Sequence, residues 1–296
     1  MPRRLVITLA AMLALTASSA APSLAQLSDN LGSLSPENAK GYLSPLTSAL
    51  SATLNSSVFQ SGHVPKSGFS MHFGIKAMGI AFKDEDRTYS PSDSPGFMSI
   101  ESVLAPTVIG DSRAVSQAGQ SGMQRFHPGG FALDEFMLAV PQLDIAAVSG
   151  TRFLVRWISL DLGDSDLGSF TLFGAGAQHS ISQYLSAPPM DLAVGAFYQS
   201  FKIGDDLLDT SALQLNVTGS KRYGVFQPYV GVGLDSFSME ARYTSGSNGT
   251  QTVEFDRENN LHLTLGAQLL LPVVQLQGEL NLAAETGVAV GLHFGR

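Results

Sequence analysis

The chain has 296 residues, no cysteine, 30 glycines and only 14% charged residues, well below the roughly 25% usual in soluble domains. The absence of cysteine excludes a disulfide scaffold, a thiolate metal site, a cysteine nucleophile and a lipid-anchored N-terminal cysteine. A net charge of −8 argues against a nucleic-acid partner, which needs clustered positive charge for phosphate.

Residues 1–25 read as a cleaved secretory signal. Arg3 and Arg4 form a positive start, Leu5 to Leu15 is apolar apart from Thr8, and small residues lead to a cleavage point after Ala25. The apolar stretch is too short for a spanning helix, which needs about 20 residues. Residues 26–67 are expected to form a periplasmic or plug segment. Within it Ser35 is a cap, Pro36 suits a first helical position and Glu37 suits the helix dipole. Ala39, Tyr42, Leu43, Leu46, Leu50 and Leu54 recur at helical spacing, which predicts an amphipathic helix over about 36–56. Such a helix cannot bury its apolar stripe alone.

After Gly68 the apolar period changes to two. Phe69, Met71, Phe73 and Ile75 alternate with Ser70, His72, Gly74 and Lys76, and comparable runs continue to Phe294. Their polar faces carry Gly, Ser, Thr, Asn and Gln rather than the Lys and Glu of a solvent-facing sheet. Many are about ten residues long, enough for a tilted strand to cross a bilayer. The reading is a transmembrane antiparallel up-and-down β-barrel over 68–296, preferred to a soluble sandwich. Wall strands are expected near 68–82, 138–148, 151–160, 169–180, 190–202, 208–220, 225–243, 251–270, 273–283 and 287–296. Met98–Ile109 plus one more strand before Phe136 would make twelve, the preferred count in a range of ten to fourteen. Aromatic residues at strand ends (Phe69, Trp157, Tyr198, Phe201, Tyr223, Tyr229, Tyr243 and Phe294) are expected to form interfacial girdles. Short turns such as Ser149-Gly150, Lys221–Gly224 and Leu271-Pro272 should face the periplasm, and Asp161–Gly168, Gly204–Leu207 and Thr244–Thr250 the outside.

Several stretches resemble an uncharacterised family of Gram-negative outer-membrane β-barrel proteins. They are Ala39–Leu46 (AKGYLSPL), Val140–Leu143 (VPQL), Gly150–Arg156 (GTRFLVR), Phe173–Tyr184 (FGAGAQHSISQY), Asp191–Gln199 (DLAVGAFYQ) and Pro228–Gly233 (PYVGVG). The resemblance implies an outer-membrane barrel behind a short helical segment, and it brings no catalytic or binding residues. Barrels of this kind commonly end on an aromatic residue read by the assembly machinery, whereas here Phe294 is followed by Gly295 and Arg296.

Little in the chain suggests catalysis or a cofactor. Gly174/Gly176 and Gly231/Gly233 lack the third glycine and the helix of a dinucleotide loop. A barrel-borne lipid hydrolase would need His and Ser on one strand face, but His179 and Ser180 point oppositely and Ser182 is three positions away. His72 and His293 approach near one rim, where a hydrogen-bonded or solvated pair is preferred to a metal site. Asp84-Glu85-Asp86 and Asp205-Asp206 read as solvated loop acids, with divalent cations bridging lipopolysaccharide as the alternative. The lumen candidates are His72, Lys76, Arg152, Arg156, Asp191, Asp235, His262, Gln275, Gln277, Glu279 and His293. They suit a narrow or plugged channel or binding barrel for a small solute, with outer-membrane lipid, lipopolysaccharide and the assembly machinery as partners. A non-conducting structural barrel is the alternative reading.

Overall fold

A computed structural model describes residues 24–161, 169–204, 206–245, 249–255 and 258–295. The expected signal segment up to residue 23, the tips of the three outer loops (162–168, 205 and 246–248) and Arg296 lie outside the described residues.

Two helices lead the described residues, Leu24–Gly32 and Pro36–Leu54. The second starts as expected, with the Ser35 side chain accepting from the Asn38 amide, and it runs through Pro45. The strands follow in chain order. β1 is Ser70–Ala81; the short pairs are β2 (Thr88–Tyr89) with β3 (Ala105–Pro106) and β4 (Val115–Ala118) with β5 (Gln124–His127). Then come β6 (Glu135–Val148), β7 (Thr151–Asp161), β8 (Ser169–Ser180), β9 (Asp191–Ile203), β10 (Leu208–Ser220), β11 (Phe226–Ser245), β12 (Gly249–Glu254), β13 (Glu258–Leu270), β14 (Val274–Leu282) and β15 (Thr286–Gly295).

Among the described residues, ten strands close an up-and-down antiparallel barrel: β1, β6 to β11, and β13 to β15. The seam joins first to last strand, with Phe73 opposite Phe294 and Ala77 opposite Val290. β12 pairs with the far half of β11, extending the wall that β13 builds along its near half. Closure leaves the ten-strand ring open at neither side, so the backbone groups of its membrane wall are paired without water. Among the described strands of this sheet, β12 alone keeps a free edge, at the loop end. The outward faces carry Phe73, Val155, Leu215, Val232, Leu263, Leu265 and Val288, all exposed and apolar, as a lipid-facing wall requires.

The count is ten rather than the preferred twelve. Met98–Ile109 adds no strand to the wall. Residues 83–134 instead form a folded connection of two small strand pairs that lies against the helices. The Val108 amide donates to the Tyr42 carbonyl at 2.8 Å, and both Asn30 and the Tyr42 hydroxyl donate to the Gly129 carbonyl. Tight turns collect at the barrel end where β1 begins and β15 finishes. We call this the turn end, and the opposite rim the loop end.

Both helices belong to the barrel's interior core. Leu27, Leu31, Leu43, Leu50 and Leu54 pack in one cluster with Met78, Val140, Leu172, Phe201, Leu208, Phe237, Met239 and Ala289 from the inner faces of the wall. Ten strands enclose more space than the eight that side chains fill unaided, and the helix occupies the remainder. From Ala49 to Leu54 every residue is buried, so this part of the helix is enclosed on all sides. The lumen is therefore zoned: its loop half is apolar and holds the helix, while its turn half is polar and holds the segment that descends from Asn55 to the start of β1.

Three aromatic expectations are corrected. Phe201, Tyr229 and Tyr243 are buried and point inward, whereas Phe69, Trp157, Tyr198, Tyr223 and Phe294 are exposed on the outer surface. The difference lies in parity. Tyr229 is in step with Gln227 and Gly231, which share the inner face of β11, and the alternating Val230 and Val232 take the lipid side.

Candidate functional site in the lumen

The polar half of the lumen is organised around the chain that fills it. Arg156, fully buried on β7, donates to the Leu54 carbonyl at 3.2 Å, the Ser56 carbonyl at 3.0 Å and the Ser57 carbonyl at 2.6 Å. Its Nε donates to Gln142 Oε1 at 2.8 Å, and its guanidinium lies 5.4 Å from the Phe197 ring centroid. Gln199 also donates to the Leu54 carbonyl, and Gln214 donates to the Asn55 carbonyl at 2.8 Å. The helix thus ends against side-chain donors from β7, β9 and β10, which satisfy carbonyls left free at a helix C-terminus.

Ser57 is held from the opposite side as well. Its amide donates to Glu279 Oε1 at 2.6 Å, and its hydroxyl accepts from Gln277 at 3.0 Å. Its φ of +57° falls in the left-handed region that a non-glycine residue rarely enters, so these contacts hold a strained backbone. Glu279 accepts from the Tyr229 hydroxyl at 2.7 Å and from Asn281 at 2.7 Å, and Gln277 accepts from the Lys76 ammonium. Glycines make room for this packing. A Cβ at Gly266 would collide with the Tyr229 ring, and one at Gly195 would stand 2.5 Å from the Phe59 ring of the descending segment.

Ten of the eleven residues singled out from sequence fall into three groups. Lys76, Gln277 and Glu279 join around Ser57, with Arg156 on its other side. Asp235 and His262 meet at 2.5 Å, and His262 also pairs with Asn281 at 2.7 Å. At the turn end, Gln275 and His72 pair at 3.0 Å, while Arg152 donates to the His63 carbonyl at 2.8 Å and His293 is buried with its Nε2 unpartnered among the described residues. Asp191 stands apart at the rim, 3.2 Å from His63 Nδ1 and partly exposed. His179 pairs with Thr151, Tyr184 and Gln183, and not with Ser180. Among the described residues no group of three His, Asp or Glu side chains converges as a metal site.

Sequence reasoning missed Gln142, Asp144, Gln178 and Gln199, all buried on the inner face. Their signal was parity: Gln142 and Asp144 alternate with Pro141, Leu143 and Ile145 on β6. Pro141 and the apolar residues around it masked that alternation.

The chain belongs to a family of unknown function (DUF6588). The match covers residues 1–296, and an uncharacterised family is what the scattered stretches resembled. No curated protein sequence matches the chain. Among solved structures it is similar to the outer membrane protease OmpT from Escherichia coli, at 10% identity and a TM-score of 0.38, over 77% of this chain and 96% of that one. It is also similar to the Ralstonia pickettii toluene transporter TbuX, at 10% identity and a TM-score of 0.29, over 78% and 90%. A BenF-like porin from Pseudomonas fluorescens matches at 9% identity and a TM-score of 0.18, over 77% and 98%.

Proposed function

We propose that this chain is an integral barrel of the bacterial outer membrane, plugged by its own N-terminal segment, which binds a small solute rather than conducting freely. The turn end then faces the periplasm and the loop end the outside. Lipid and lipopolysaccharide surround the wall, and the machinery that assembles outer-membrane barrels is its folding partner. The observation that carries this reading is the enclosure of the Pro36–Leu54 helix. Tyr42, Leu43, Leu50 and Leu54 are fully buried, and each large apolar side chain loses about 1.5–3 kcal/mol when exposed to water. Withdrawing the helix therefore costs on the order of 10 kcal/mol, too much for a gate that opens by thermal motion.

A second reading, a structural barrel that engages the envelope through its loop end, is favoured by one observation. Met98, Ile100, Leu104 and Phe126 stand exposed on the long connection. The test common to both is single-channel recording from residues 26–296 refolded into a planar bilayer. A silent bilayer with inserted protein is expected, whereas discrete conductance steps would overturn the plugged state.

A further inference from the structure

We propose that the turn-end lumen holds a binding site for a small zwitterion, a solute carrying a carboxylate and an ammonium group a few ångströms apart. The inference names the solute class for the binding barrel above and rests on that reading. It draws on a strip of wall formed by consecutive neighbours β14, β15, β1, β6 and β7, where charged groups of both signs keep hydrogen-bonding capacity unspent.

Asp144 is buried opposite His72 in the β1–β6 register. One of its oxygens accepts from Gln142 at 2.7 Å, and the other takes no hydrogen bond among the described residues. Lys76 is fully buried and spends its ammonium on Gln277 alone, with no carboxylate within 4.0 Å among the described residues. An ammonium has three donors, so two remain unspent. His293 is buried, and its Nε2 has no partner among the described residues. Buried polar groups are ordinarily hydrogen-bonded, and each exception calls for a reason. Elsewhere in the same lumen Asn55, Gln178 and Gln199 also keep atoms unpartnered among the described residues, but those are neutral amides, whereas here the unspent groups carry charges of both signs.

At the turn end His72, Gln275 and Arg152 are partly exposed. Beside them Asp144, level with His72, and His293, level with Gln275, are buried, and Lys76 lies buried further along β1. A solute entering there meets Arg152 and Lys76 as cations and the free oxygen of Asp144 as an anion. A bare cation is disfavoured by the two flanking positive side chains, and a metal ion also finds no converging ligand set. A bare anion leaves Asp144 unanswered. A zwitterion satisfies both signs, its carboxylate toward Lys76 and Arg152 and its ammonium toward Asp144.

The probes are glycine, acetate and methylammonium, each titrated into residues 26–296 in detergent micelles and followed by saturation-transfer NMR. Glycine is expected to bind, acetate at least tenfold more weakly, and methylammonium not at all. Asp144→Asn should weaken glycine at least tenfold and leave acetate unchanged, whereas Arg152→Gln should weaken both. Should Arg152→Gln fail to fold, His72→Phe, which narrows the mouth, should slow glycine entry. The site is refuted if glycine gives no transfer, if acetate binds equally well, or if Asp144→Asn leaves glycine binding intact. Because binding is read without current, a silent bilayer does not bear on this result, and conductance steps would leave the glycine titration standing as its own test.

Discussion

At the scale of single residues, the interior of this barrel behaves as a protein core, with Arg156 the side chain on which the plug's end depends. It bonds three main-chain carbonyls of the filling segment from a site sealed from water. Hydrogen bonds from a charged donor contribute about 1.5–3 kcal/mol each and do not simply add. Arg156→Met should therefore destabilise the barrel by about 3–5 kcal/mol in urea unfolding from lipid vesicles. A loss under 1 kcal/mol would mean that the carbonyls find other donors. The same enclosure changes a contrast that an empty lumen would give. Leu265 is exposed on the outer face, and arginine there should cost about 2–4 kcal/mol at the bilayer midplane. In an open pore arginine at the inward Thr264 would be mild. Here Thr264 is buried and donates to Asn281 at 3.1 Å, so Thr264→Arg should be at least as damaging, and Thr264→Val should lose only about 1 kcal/mol. Unfolding free energies of the three variants, compared side by side, distinguish a filled lumen from an open one.

At the scale of elements, the helix and the long connection each carry a consequence. Leu50 is fully buried between helix and wall, and Leu50→Ala should cost about 2–5 kcal/mol, the range for truncating a core leucine. The β4–β5 hairpin should respond to acid. His127 is buried there, its Nε2 paired with Gln117 at 3.0 Å and its ring edge-on to Tyr89. Burial, and then the nearby Arg125, hold its pKa below the ordinary histidine value. The unfolded hairpin takes up a proton near pH 6.5 while the folded one resists it. The stability of the hairpin is thus complete above about pH 6.5 and falls as the pH drops below that. Amide exchange over Val115–His127, corrected for intrinsic rates, should be faster at pH 5 than at pH 7.5, and His127→Gln should flatten the difference. An equal slope in both proteins would sink the assignment. The ten wall strands were legible in the sequence because a lipid-facing surface enforces a strict period of two. The long connection was not, because its short strands bury against helices distant in sequence rather than repeating a period. Leu27 and Leu31 were spaced for a helix, but they stand beside the signal segment, which claimed the apolar residues around them. In the lumen, the charged residues Lys76, Arg156 and Glu279 were readable from parity, yet their convergence on Ser57 was not, because parity assigns a face and not a height.

At the scale of the whole molecule, the chain is threaded. The Leu24–Gly32 helix packs by β11 at the loop end, with Gly32 set closely against the Thr244 carbonyl. The segment after Leu54 then runs down the polar half, where the Gly62 amide donates to Ser220 at 3.0 Å, and emerges at the turn end to begin β1. The first strand pairs with the last, so the closed seam encloses that segment. Two points about 35 residues apart must then lie on opposite sides of the membrane, and the absence of native cysteine makes this directly measurable. Ser33 is exposed at the loop end and Ser67 is exposed at the turn end. With the loop end outward, a membrane-impermeant maleimide added to intact cells should label Ser33→Cys and spare Ser67→Cys, and permeabilised cells should label both. Labelling of Ser67→Cys alone would invert the barrel in the membrane and keep the threading. Labelling of both in intact cells would put the two points on one side, and a segment that does not traverse the lumen could not be the plug on which the closed state depends.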